Sequence, residues 1–219
     1  MAIELHWLSG SPYAWRVMLA LELKGIEYRS RLHQLSTGEL KSAEYLSLNP
    51  RGRVPTLVDD GFVLYESIAI LAYLDRKFPA PALFGQNAHE TGLIWRHIAE
   101  YTAYADPATE ALILPLYFGT AREHAASVKE AAATLHVELG RLEAALTENT
   151  FLATSSPSAA DLAVYPHVKS IERAAGKEAA RELDLDLIPI AAHWPRVGAW
   201  MERIEALPGY QRTYPPHWK

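Results

Sequence analysis

Three short stretches carry side chains and backbone groups suited to holding and activating a small ligand: Ser9 to Tyr13, Val54-Pro55 and Glu66-Ser67. A proline that opens a strand has no N–H to give. If the bond before it is cis, the chain turns sharply there. The N–H and C=O of Val54 then face outward, where an extended peptide can pair with them as an added strand. The plainer alternative is that Pro55 only begins an edge strand. Glu66-Ser67 stands where an apolar helix starts. Serine there is a natural cap, and the same helix end attracts a carboxylate through its open N–H groups and dipole. Glu66 beside it can accept from a cationic amine. The pair therefore suits an α-amino-acid headgroup, which carries both charges side by side. Ser11 precedes Pro12, a residue that fits the first helical position. A hydroxyl at a helix N-terminus stabilises an anion such as a thiolate by hydrogen bonding and dipole. Tyr13 and Ser9 are rival hydroxyl donors.

The chain contains no cysteine. It therefore has no disulfide, no thiolate nucleophile, no CxxC redox pair and no zinc–thiolate centre. Any thiol chemistry must use a thiol that the substrate brings, and that thiol, with a pKa of ~8.5, is mostly protonated at neutral pH unless the site favours the anion. The nine histidines are scattered with no HxxxH pair on one predicted helix, so no metal site is expected. The net charge of −5 is spread over interspersed charges, with no basic block of the kind nucleic-acid binding needs. No apolar run approaches the ~20 residues that span a bilayer, and the opening MAIELHWLSG lacks the pattern of a secretion signal. A cytoplasmic protein without nucleic-acid or membrane partners is the expectation. A hydrophobic share of 49% against 21% charged residues leaves ample material for a buried core.

The elements around these stretches read as two domains. Rough alternation predicts a strand over residues 3–8, a helix over 14–25 closed by Gly25, and a second strand over 27–32. A short helix falls near 42–47. Residues 56–58 and 62–64 flank Asp60-Gly61 as a hairpin. Ser67 then opens a helix that Pro79 stops. The order β-α-β-(α)-β-β-α gives an α/β domain over residues 1–80. PAPALFGQ, rich in proline and small residues, predicts a linker over 81–87. Residues 88–219 read as an all-α domain, with helices over 88–114, bent near Pro107, over 120–147, from 158 and over 194–205, and an irregular tail. Ser158-Ala159-Ala160-Asp161 is a capping-box pattern, and Asp161 reads as a folding residue rather than a catalytic carboxylate.

The segment NPRGRVPTLVDDGFVLYESIAILAYLDRKFP resembles the glutathione-site segment of the cytosolic glutathione transferases. SPYAWRVMLALELKGIEY is similar to that family's first loop and helix, and SPSAADLAVYP to the start of its buried helix in the second domain. The resemblance implies a thioredoxin-like N-terminal domain, an all-α C-terminal domain, glutathione as co-substrate and a homodimer. It implies that Pro55 is cis, that Val54 pairs with the cysteinyl backbone of glutathione, and that Glu66 and Ser67 hold the γ-glutamyl end. Arg53, assisted by Lys41, matches the grip on the glycyl carboxylate, although Leu40 stands where many relatives have His or Gln. Ser11 looks like the catalytic serine of the serine-type classes, with Tyr13 as rival. The zeta class usually reads Ser-Ser-Cys-x-Trp-Arg-Val here, and the chain departs from it at Pro12 and Tyr13. On this resemblance Asp106 reaches a partner subunit's glutathione amine, and Tyr13, Tyr104 and Tyr117 line an electrophile pocket. The implied activity is conjugation of glutathione to small hydrophobic electrophiles. The alternatives are a glutathione-dependent isomerase or dehalogenase, and a non-catalytic transferase-like binding protein.

Overall fold

The computed structural model describes residues 3–218. They form two compact units, Met1–Phe84 with Ala206–Lys219, and Gly85–Glu205. The first unit is built on a four-stranded sheet in the order β2-β1-β3-β4. Strand β1 (Ile3–Leu8) runs parallel to β2 (Tyr28–His33), with Ile3 opposite Tyr28. The parallel pair is joined by helix α1 (Pro12–Leu23), the crossover such a pair needs. On its other side β1 pairs antiparallel with β3 (Thr56–Asp59), and β3 pairs with β4 (Phe62–Tyr65) across the Asp60-Gly61 turn. Both turn residues have positive φ, as the tightest hairpins require. Between β2 and β3 lie two single 3₁₀ turns and helix α2 (Ala43–Leu48), capped by the Ser42 side chain. Helix α3 (Ser67–Lys77) follows the hairpin and packs against α1. Leu5 and Leu57 of the sheet and Leu21, Ile70, Leu71 and Leu74 of the helices are fully buried and form the core.

The second unit is helical. Helix α4 (Ala88–Glu100) passes through one π-turn, Tyr101–Ala105, into α5 (Asp106–Phe118). Pro107 explains the break, since it has no N–H for the α-helical bond to residue 103. The Asp106 N–H instead reaches the Tyr101 carbonyl. The expected bend near Pro107 is thus a register shift of one residue just before it. Helix α6 (Ala125–Ala145) and the buried α7 (Ala159–Ala175) complete the bundle, followed by α8 (Glu178–Glu182), α9 (Ile190–His193) and α10 (Pro195–Glu205). The Ser158 capping box is formed as the sequence predicts. Asp161 is fully buried and accepts four bonds, from the Leu152 and Ser158 N–H groups, the Ser158 hydroxyl and the Trp200 indole. Burial pushes its carboxyl above the ordinary range while these donors pull it back.

The tail departs from the expectation that residues 88–219 form one domain. Helix α11 (Tyr210–Thr213) and the turn Pro216–Trp218 belong with the first unit. The anchor is Trp15 of α1, whose indole donates to Thr213 Oγ1 at 2.8 Å. Arg212 pairs with Glu22 on the same helix. Among the described residues no helix is long and apolar enough to cross a membrane.

Candidate functional site

The first unit brings Ser11, Val54, Pro55, Glu66 and Ser67 to one set of chain ends, where α1 and α3 begin and the loop before β3 turns. Each is held by a local cause. The Val54-Pro55 bond is cis, as expected. The preceding loop is held by Asn49 and Tyr45. Asn49 Nδ2 and the Tyr45 hydroxyl donate to the Arg53 carbonyl at 2.9 and 2.7 Å, and both also contact Thr56 Oγ1. Burial pushes the Tyr45 hydroxyl pKa up, so it stays a donor. Neither the N–H nor the C=O of Val54 is paired among the described residues. Buried strand-edge groups are almost always satisfied, and this open pair, half-buried beside a filled ladder, is a template for an added strand.

Ser67 corrects one sequence reading. The residue at the cap position of α3 is Glu66, which adopts φ +70°, and Ser67 is the first helical residue. Its hydroxyl makes no cap. It accepts instead from Arg16 Nη1 at 3.2 Å, with Ser67 7% and Arg16 4% exposed. The first N–H groups of α3 have no partner within the helix. A buried guanidinium, these N–H groups and the helix dipole all favour a negative charge at the start of α3. Glu66 has a side chain 67% exposed and lies 3.4 Å from Arg51 Nε. The site therefore offers a carboxylate acceptor next to a carboxylate receptor. Arg16 and Arg51 escaped the sequence reading. Arg51 was legible as the first arginine of NPRGR, but the Arg16 contact, 51 residues from Ser67, has no local signature.

Ser11 caps α1, accepting from the Ala14 N–H at 3.3 Å, with Pro12 following as the first helical residue. As an acceptor there, Ser11 Oγ retains its own proton for donation. Tyr13 lies one residue inside α1, its ring 5.1 Å from the Arg16 guanidinium carbon. Lys41 turns to the backbone, with Nζ 3.5 and 3.4 Å from the Arg51 and Gly52 carbonyls. Gly52 must be glycine, since at φ +57° a Cβ would sit 2.7 Å from the Leu40 carbonyl. Leu40 itself is buried and cannot grip a carboxylate. Arg53 remains exposed beside Val54.

The second unit holds the remaining candidates. Asp106 opens α5 and faces the buried His167, Oδ1 to Nδ1 3.3 Å. Tyr104, on the π-turn, lines a cavity of about 360 Å³ with Arg96, Glu100, Leu139 and Ile171. Tyr117 does not line it. Lys177 lies 4.8 Å from the centre of its ring, and burial pushes its hydroxyl pKa up. Among the described residues no cluster of His, Cys, Asp and Glu could hold a metal.

The domain description "Glutathione S-transferase, N-terminal domain" matches residues 10–77, and "Glutathione S-transferase, C-terminal domain" matches residues 104–208. Glutathione S-transferase A of Pleuronectes platessa is 31% identical over 99% of this chain and 92% of its own length. The chain belongs to the glutathione S-transferase family. A crystal structure of a glutathione S-transferase from the Antarctic clam Laternula elliptica superimposes with a TM-score of 0.81 at 30% identity, over 100% of this chain and 94% of that one. Maleylacetoacetate isomerase of Pseudomonas aeruginosa is 42% identical over 88 residues, 39% of this chain and 42% of its own length. The thioredoxin-like sheet domain and the helical domain are therefore those of a glutathione S-transferase, and the chain is an enzyme of that kind. The family uses glutathione as co-substrate.

Proposed function

We propose that this enzyme binds glutathione in its first unit and adds it, as thiolate, to small hydrophobic electrophiles. The unpaired Val54 N–H and C=O, next to an α3 start that combines Glu66, Ser67 and Arg16, carry the reading. Val54 takes the cysteinyl backbone across the Val54-Pro55 turn. The γ-glutamyl carboxylate sits on the N-terminus of α3 at Ser67, and Glu66 takes the amine. Arg53 takes the glycyl carboxylate, assisted by Lys41, whose Nζ also lies beside the Arg51 and Gly52 carbonyls. The thiol gives its proton to solvent, and Ser11, with Tyr13 as rival, donates to the sulfur left behind. The thiolate attacks an electrophilic carbon, a C–S bond forms, and a halide departs or an enone carbanion takes a proton. The protein contributes orientation and a fixed donor where charge sits. Tyr13, Tyr104 and Tyr117 are the electrophile-side candidates. A homodimer, an Asp106 contact to the partner's glutathione and a cytoplasmic location belong to the same proposal.

The test is a thermal-shift titration with glutathione followed by conjugation of aryl halides, isothiocyanates and enones. Stabilisation by glutathione and turnover of at least one class are expected; no stabilisation would refute the reading, and stabilisation without turnover would mean a binding protein. The 42% identity to a maleylacetoacetate isomerase supports a second reading. An isomerase would convert maleyl compounds without net consumption of glutathione, because the C–S bond formed is broken again.

A further inference from the structure

The C-terminal tail closes on the loop that carries Ser11. Trp15 is 2% exposed and anchors it, with Tyr214 and Trp218 standing edge-on to its ring at centroid distances of 5.9 and 5.4 Å. The tail so held lays His217 against Gly10. Gly10 has φ +82°, and a Cβ there would lie 2.9 Å from His217 Cε1 and 3.3 Å from Trp218 Nε1. Only glycine admits the ring this close. His217 Nδ1 is then 2.6 Å from Ser9 Oγ.

The tautomer follows from Trp218, whose indole Nε1 donates to His217 Nε2 at 3.0 Å. An indole N–H can only donate, so Nε2 is the acceptor nitrogen and the neutral ring carries its proton on Nδ1. That proton points to Ser9 Oγ. A hydroxyl whose oxygen accepts in this way keeps its own proton for another acceptor, and none stands within reach among the described residues. Ser9 is two residues from Ser11, in the same loop before the α1 N-terminus.

We propose that His217 is a positioning residue for the transferase reaction. It fixes Ser9 so that the Ser9 hydroxyl donates to the glutathione thiolate as a second donor beside Ser11. The proposal rests on the reading that glutathione binds in this unit with its sulfur at the loop. The thiol proton leaves to solvent, no bond to protein forms, and the two hydroxyls keep their protons while sharing them with the sulfur. Each such bond favours the thiolate over the thiol and lowers the bound thiol's pKa.

The test uses the full chain, glutathione and 1-chloro-2,4-dinitrobenzene. The pKa of bound glutathione is read from ultraviolet thiolate absorbance against pH, alongside the glutathione Kd and the melting temperature. His217→Ala and Ser9→Ala should each raise the bound thiol's pKa by about one unit, so kcat/KM below that pKa falls roughly tenfold. The double variant should be no worse than either single one, because both act through one hydroxyl. His217→Asn keeps an N–H donor and should restore most of the loss, with Kd within about twofold throughout. A thiol pKa in His217→Ala equal to that of the wild type would overturn the inference. So would additive effects in the double variant, or a thiol pKa that merely tracks melting temperature whether or not residue 217 can donate. Absence of glutathione binding in the wild type would instead strike the proposed function itself.

Discussion

Arg16 reaches from α1 to the first residue of α3, where its Nη1 donates to Ser67 Oγ at 3.2 Å. The bond joins the two helix starts on which the proposed site depends, one carrying Ser11 and the other receiving the glutamyl carboxylate. Ser67→Ala removes an acceptor of Arg16 and, on the proposed reading, a hydroxyl at the glutamyl end of the site. Glutathione affinity should fall about tenfold and stability by about 1–2 kcal/mol. Arg16→Met should cost more stability than affinity, because Ser67 stays. Calorimetric titration with paired melting curves checks both. Equal affinity in Ser67→Ala and wild type would remove Ser67 from the site.

Ser11 has two duties that can be separated. As cap of α1 it contributes about 0.5–2 kcal/mol relative to alanine, but only a few tenths relative to glycine. Ser11→Gly therefore keeps the helix and deletes the hydroxyl. Its kcat should drop at least tenfold with a nearly unchanged melting temperature and glutathione Kd. Unchanged kcat would move the donor role to Tyr13 or Ser9.

Asp161 holds more than a cap. Its carboxylate serves four buried donors, two of them on Leu152 and Trp200 rather than on its own helix end. Asp161→Ala leaves these without partners, so the loss should reach about 3 kcal/mol or more, above that of a cap alone. The glutathione KM of the folded fraction should not change. A selective rise in KM at constant stability would contradict a purely structural role.

Much of this architecture is legible because it is local. The hairpin is read from Asp60-Gly61, the capping box from Ser158 and Asp161, and the bend from Pro107, each within a few residues. Ser67 misled because serine at a helix start reads as a cap, while the preceding Glu66 takes the positive φ that places it at the cap instead. The Arg16–Ser67 bond spans 51 positions and the Ser9–His217 contact 208. Contacts of that separation are set by topology, and no spacing rule reports them. The tail looks irregular in sequence because its order comes from packing on Trp15, not from its own periodicity.

His6 supplies a pH dependence with a defined sign. It is 8% exposed, on β1, and burial is the main cause holding its pKa below 6.5, helped by His33 and Arg31 and opposed by Glu4. The unfolded chain binds a proton near pH 6.5 that the folded chain does not yet take. Its contribution to stability is therefore present above 6.5 and is lost as pH falls toward the lower folded value. Melting temperature should decline between roughly pH 7 and pH 5, and His6→Gln should flatten that decline. Buried His97, lowered mainly by its burial too, keeps part of the slope. An identical slope in His6→Gln would contradict this assignment.

On the proposed reading the first unit recognises glutathione by its γ-glutamyl end and cysteinyl backbone. Calorimetric titration of the wild type with glutathione and, separately, with cysteinylglycine tests it most directly. Saturable binding of glutathione is expected, with a loss of affinity of at least about 100-fold for the dipeptide, which lacks the headgroup that Glu66, Ser67 and the α3 N-terminus would hold. Equal affinity for the two, or no saturable binding of glutathione, would contradict it.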